Sequence, residues 1–133
     1  MTPESIDRPD VRREVQRLFH AYEHALMAND LAALNGYFWR DARVTRYGIA
    51  DLQFGHDALV AFRAATPAPN FRRDLSRVRI TTFGVDLAVV MTEFHRSDTR
   101  KLGMQTQTWV RFGDGWKIVS AHVSMIDSPA AAR

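Results

Sequence analysis

Six side-chain sets in this chain are of types and spacings that could do chemistry. If 116–125 is a strand, the two-residue period puts Trp116, Ile118, Ser120, His122 and Ser124 on one face. His122 could then move a proton, with the Ser124 hydroxyl beside it. The same histidine could instead be a hydrogen-bonded structural residue. In the preceding stretch, Gln105, Gln107, Trp109 and Arg111 alternate with Thr106, Thr108, Val110 and Phe112. Gln107 offers a donor and an acceptor to an amide-bearing ligand, and Trp109 offers a face for stacking on a planar one. The alternative is a solvated or dimer-facing polar row. Tyr22 falls on the apolar stripe of a helix and Tyr47 ends a short strand. A tyrosine hydroxyl aimed into a cavity donates to a developing oxyanion, and either ring could equally be aromatic core packing.

Arginine is the next set. The chain carries 18 basic and 15 acidic residues, a formal charge of +3, and most of the bases are arginine. An arginine fork grips a carboxylate at two points. Arg72 shares the parity of Val78 and Ile80 when the strand is regular, which would turn it into a cavity and leave Arg73, Arg77 and Arg79 facing outward. A β-bulge would invert that assignment. Glu93 sits in an otherwise apolar strand. It is read either as a buried acid–base group or as the salt-bridge partner of a nearby arginine. His20 and His24 lie four apart on a helix, a spacing that can chelate a metal, but no third ligand accompanies them. No metal or cofactor is expected. There is no Gly-rich phosphate loop and no Gly-x-Ser-x-Gly. The absence of cysteine excludes disulfides and thiolate chemistry.

These residues need elements to position them. Val11, Val15, Leu18, Phe19, Tyr22, Ala25 and Leu26 mark one face of a long helix, with Asp7 as expected N-cap and Pro9 just inside. Asn29 and Asp30 end it and cap a short helix over 31–34, which Asn35-Gly36 should stop. Residues 42–47 read as a strand, and 52–54 as a short one pairing with it. A further helix spans 56–66, broken by Thr66-Pro67-Ala68-Pro69-Asn70. Four long β-type stretches follow, over 71–83, 86–96, 101–112 and 116–125. Their hairpin-sized joints imply an antiparallel meander, and strands this long must curl. The fold class is therefore α+β, a curved sheet packed by N-terminal helices into a cone around one pocket. The last strand is apolar on both faces, so the outer face of the sheet should be covered too, most simply by a second subunit.

The length of 133 residues fits one domain with a core over about 8–126 and a flexible tail over 127–133. The arginines are too dispersed for a nucleic-acid interface. No apolar run approaches a membrane span. Residues 1–10 lack the apolar core of a signal peptide, and a cytoplasmic protein is expected.

The layout resembles the SnoaL-like, nuclear-transport-factor-2-like superfamily that includes ketosteroid isomerase, whose fold is the cystatin-type roll. It is closest to the AtzH-like branch. The residues carrying the likeness are Thr45-Arg46-Tyr47-Gly48, Phe54-Gly55-His56-Asp57, Ala61-Phe62-Arg63, Gln105 to Val110 and Ala121-His122-Val123-Ser124. The resemblance adds Arg46, Arg63 and His56 as ligand-binding candidates, though His56 could simply open its helix. It links the chain to the breakdown of oxalurate and carboxylated ureas. The implied ligand is a small anion held by Arg72 or Arg46, its carbonyl polarised by Tyr47 and Gln107, with His122 moving the proton in amide hydrolysis or decarboxylation. Two alternatives stand beside it: a non-catalytic partner that stabilises an amidase, and a lyase or isomerase acting on a hydrophobic ring. No equivalent of the ketosteroid isomerase acid pair is evident.

Overall fold

The computed structural model describes residues 1–128. A single 3-10 turn at Pro3–Ser5 precedes α1 (Pro9–Ala28), α2 (Leu31–Tyr37), β1 (Thr45–Tyr47), β2 (Leu52–Phe54) and α3 (His56–Ala65). The chain then runs through β3 (Arg73–Phe83), β4 (Leu87–Arg96), β5 (Leu102–Phe112) and β6 (Gly115–Ile126). The six strands form one sheet in the order β2-β1-β6-β5-β4-β3. The β3–β6 meander is antiparallel throughout, as the hairpin joints imply. The short β1 adds to it parallel to β6. Of the expected tail, Asp127 and Ser128 follow β6 without regular structure, and 129–133 lie outside the described residues.

Helix α1 buries Val11, Val15, Phe19, Tyr22 and Ala25 against the concave face of the sheet. Their spacing is that of one helical stripe. Facing them from the sheet are Ile80, Ala88, Val90, Trp109 and Ile118. Asn29 closes α1 in the left-handed region (φ 53°), and the Asp30 carboxylate accepts from the Ala33 N–H at 3.2 Å to cap α2. Two local expectations change. Asp7 does not cap α1. Its carboxylate accepts from the Thr82 N–H (3.0 Å) while its own N–H donates to the Thr82 carbonyl, tying the N-terminus to β3. Helix α2 passes through Asn35-Gly36 to end at Tyr37. Only 45–47 of the expected 42–47 strand pairs with a neighbour. Val44 before it is fully buried.

Two irregularities set which side chains face inward. In β3 the pairing with β4 slips between Ser76 and Arg79, at Arg77 with φ 49°. In β6 the pairing with β5 slips at Val119, which has no partner between Ile118 and Ser120. An extra residue in a strand reverses the facing of everything beyond it, because side chains alternate every residue. Both slips lie where a curled sheet must bend.

Candidate functional site

A cavity of about 340 Å³ lies between α1, α3 and the concave face. Helix α1 contributes Tyr22, Leu26 and Met27, and α3 contributes Phe62 and Arg63. The β1–β2 hairpin adds Arg46, Ile49 and Asp51. The sheet floor adds Arg73, Phe94, Arg96, Gln105 and Val123, and segment 66–71 forms the rim. Four guanidiniums and one carboxylate therefore line it directly.

The arginines differ in what holds them. Arg73 is buried and donates through Nε and Nη2 to the Glu23 carboxylate (3.1 and 3.3 Å), and through Nη2 to Gln105 Oε1 (2.9 Å). Gln105 Nε2 donates to Glu23 Oε1 at 3.1 Å, closing a ring of three residues. The Arg73 guanidinium also lies 3.9 Å above the Phe94 ring. Arg46 donates to Asp51 (2.7 Å) and to Gln53 Oε1 (3.0 Å), and stacks over Phe62. Burial, and after it the repulsion of neighbouring Arg63, hold Arg46 below the usual arginine range. At the mouth Arg96 is held by Asp98 and stacks 3.8 Å over Phe71.

Arg63 is the exception. It is 9% exposed, and among the described residues no carboxylate pairs with it. Its Nη2 donates to the Tyr22 hydroxyl at 3.4 Å, and its buried Nε has no partner. Because the Tyr22 oxygen accepts from Arg63, the phenolic proton is free to be donated elsewhere.

Of the expected site residues, Tyr22, Arg46 and Arg63 meet in this cavity. Arg72 does not. The bulge at Arg77 gives the inward position to Arg73, and the Arg72 side chain is 75% exposed, 3.5 Å from Asp74. The bulge at Val119 likewise turns Ala121 and Val123 inward and His122 outward. Tyr47 and His122 do meet, as an edge-to-face pair with centroids 5.6 Å apart, but on the outer face of the sheet. Ser124 shares their parity and does not line the cavity. Gln107 faces inward into the packed core, where its Oε1 accepts from Trp109 Nε1 at 3.1 Å. Trp109 is fully buried against Tyr37 and offers no face to a ligand. His56 Nε2 bonds the Asn35 carbonyl oxygen (2.8 Å), fixing the start of α3 to α2 away from the cavity. Glu93 sits 3.7 Å from the exposed Arg77. Among the described residues no group of three His, Asp or Glu is placed to hold a metal. Among the described residues no helix is long and apolar enough to cross a membrane.

The sequence reading turns Arg73 outward, names Gln105 only as one member of an alternating row, and gives Glu23 no role. For Glu23 a signal existed: it continues the four-residue series Val11, Val15, Phe19, so it falls on the buried stripe.

The family model of AtzH-like proteins matches residues 4–129. The chain belongs to the AtzH-like family. Two solved structures are similar to this AtzH-like chain over nearly their whole length. One is a protein of unknown function of the DUF3225 family from Pectobacterium atrosepticum, 42% identical, TM-score 0.93, covering 96% of this chain and 99% of that one. The other is a cystatin-like fold protein from Burkholderia xenovorans, 46% identical, TM-score 0.91, covering 93% and 98%. A nuclear-transport-factor-2-like protein of unknown function from Pseudomonas putida, 15% identical with TM-score 0.75, covers 95% and 94% and shares the fold. No curated protein matches the chain.

Proposed function

We propose that the cavity binds a small carboxylated ureide, an oxalurate-like or carboxyurea anion, and that the protein serves the breakdown of such compounds. The observation that carries this reading is the lone Arg63. A buried cation without a counter-charge is destabilising by several kcal/mol in order of magnitude. Arg46 and Arg73 are neutralised from within by Asp51 and Glu23. Arg63 is left for a charge that arrives from solvent. A carboxylate there would take up the orphaned Nε in a two-point contact. The Tyr22 proton would then be donated to the ligand's carbonyl oxygen, the role first expected of Tyr47 and Gln107. The rings of Phe62, Phe71 and Phe94 also line the cavity, each with an arginine guanidinium stacked on it.

If the bound ureide is turned over, Tyr22 and Arg46 polarise its terminal carbamoyl group, water adds to that carbonyl carbon, and the bond to the terminal nitrogen breaks as the water's proton passes to it, releasing ammonia. One observation favours the second reading, a binding protein that stabilises an amidase partner. The two carboxylates nearest the cavity, Glu23 and Asp51, are both tied to arginines, and no histidine lines it. The arginine lining disfavours a hydrophobic ring as substrate. The test is a thermal-shift panel of small carboxylates and ureides, followed by an ammonia assay on any that bind. Binding with ammonia release supports the enzyme. Binding without release supports the partner reading. No shift by any carboxylate at millimolar concentration removes the ureide reading and leaves the amidase-partner reading, which co-purification with an amidase would test.

A further inference from the structure

Arg46 and Arg73 each sit in a ring of arginine, carboxylate and glutamine, but the two rings present their arginines differently. Glu23 takes the Nε and Nη2 edge of Arg73, an edge that forms a two-point contact with a carboxylate. In the Arg46 ring only Nη1 is engaged. It donates to Asp51 Oδ1 (2.7 Å) and to Gln53 Oε1 (3.0 Å). The Nε and Nη2 of Arg46 have no hydrogen-bond partner among the described residues, and neither is sealed from solvent as the Nε of Arg63 is. Arg46 lines the cavity, so the edge that Arg73 gives to Glu23 stays open there.

Gln53 holds that open edge in place. It stands directly opposite Arg46 in the β1–β2 pairing and is 5% exposed. Phe62, with its ring centroid 5.0 Å from the guanidinium, sets the plane of the fork but not its rotation within that plane. A hydrogen bond to Asp51 alone would act as a pivot. The second bond from Nη1, to Gln53, removes the pivot. Gln53 Nε2 also donates to Asp51 Oδ1 (2.9 Å), which keeps the carboxylate from swinging. The position calls for a side chain that accepts from a cation and donates to an anion without adding charge, and a neutral amide does both. Gln53 does not itself line the cavity, so its effect on a ligand passes through Arg46. We infer that Gln53 is a positioning residue, whose amide aims the open Nε and Nη2 edge of Arg46 at the bound anion. This role rests on the reading of the cavity as a ureide site.

Two measurements on the full chain test it. The first needs no ligand. Hydrogen bonds at Nη1 slow rotation of the guanidinium, so Arg46 should give resolved Nη signals in heteronuclear NMR at low temperature, assigned by their loss in Arg46→Lys. In Gln53→Met, which is similar in size and adds no charge, these signals should merge. The second is isothermal titration with oxalurate. Gln53→Met should weaken binding at least about fivefold, the scale of one lost hydrogen bond, with native far-UV circular dichroism. Asp51→Asn keeps an acceptor for Arg46 and removes the counter-charge, so it should bind oxalurate at least as tightly as the wild type. The opposite signs separate aim from charge. Gln53→Asn keeps a buried amide but withdraws it by one methylene, and it repeats both measurements should Gln53→Met lose its native spectrum. Arg46 signals that stay resolved without Gln53, or an affinity equal to that of the wild type, would overturn the role. If the wild type binds no oxalurate, the ureide reading fails by itself, and the hold of Gln53 on Arg46 stands or falls on the NMR signals alone.

Discussion

Arg73→Met removes a guanidinium whose side chain is 7% exposed and leaves the Glu23 carboxylate, 10% exposed, without its counter-charge. Solvent screening is weak at that depth. At an effective dielectric near 20, two unit charges about 4 Å apart attract by about 4 kcal/mol. Breaking a buried pair by deleting one partner costs about 3–5 kcal/mol, because the remaining charge stays desolvated. The Gln105 Nε2 donation to Glu23 survives, which argues for the lower half of that range. A chain of 133 residues has an unfolding entropy of roughly 0.28 kcal/mol per degree, so a loss in that lower half corresponds to a fall in Tm of about 11–14 °C. Arg63→Met is the internal comparison. It deletes an arginine from the same cavity, strands no carboxylate and removes an uncompensated buried cation, so it should leave stability unchanged or raise it. Urea denaturation of the two variants, with Glu23→Leu combined with Arg73→Met as the closing corner of the cycle, measures the difference. The double variant should recover at least about half of the loss. Equal destabilisation by Arg73→Met and Arg63→Met would refute the assignment of Arg73 as internally paired and Arg63 as free.

Three further outcomes follow from local geometry. A Cβ at Gly103 would collide with the Phe94 ring, which is 1% exposed and lies beneath the Arg73 guanidinium. Gly103→Ala should therefore cost about 1–3 kcal/mol in urea denaturation and weaken ligand binding with it. Arg77 holds φ 49° at the β3 bulge, and its exposed contact with Glu93 contributes little. Arg77→Gly should raise stability, by up to about 1 kcal/mol in the same assay. Arg43 donates two side-chain hydrogen bonds to Asp41 and lowers its carboxyl to about 2. The folded-state value lies below the unfolded one, so this contribution to stability is complete above the ordinary carboxyl range and disappears as pH falls toward 2. An NMR titration of the Asp41 carboxyl should show the low midpoint, and Arg43→Ala should return it toward the ordinary value.

The helices, the four-strand meander and the pocketed α+β fold were legible in the sequence because periodicity reports them directly. Val11, Val15, Phe19 and Tyr22 mark a helical face, and the alternation from Gln105 to Trp109 marks one face of β5 without saying that it points inward. The parity of β3 and β6 was not legible. An extra residue at Arg77 or Val119 leaves composition and local pattern almost unchanged, yet it exchanges Arg72 for Arg73 and His122 for Val123 at the cavity wall. Tyr47 and His122 meet each other on the outer face of the sheet, away from the cavity. Arg46 and Arg63 entered through a resemblance of motifs, since nothing in their spacing tells a cavity arginine from a surface one. Their difference is a tertiary fact: Asp51 reaches Arg46, and no carboxylate reaches Arg63.

Isothermal titration of the wild type and of Arg63→Met with oxalurate and a carboxyurea tests the central claim most directly. Saturable binding by the wild type that weakens at least about tenfold in Arg63→Met, with the variant's fold and stability intact, is the expected result, since a charge-assisted two-point contact contributes more than about 1.4 kcal/mol. Equal affinity in the two proteins, or no heat with either anion at millimolar concentration, would contradict it.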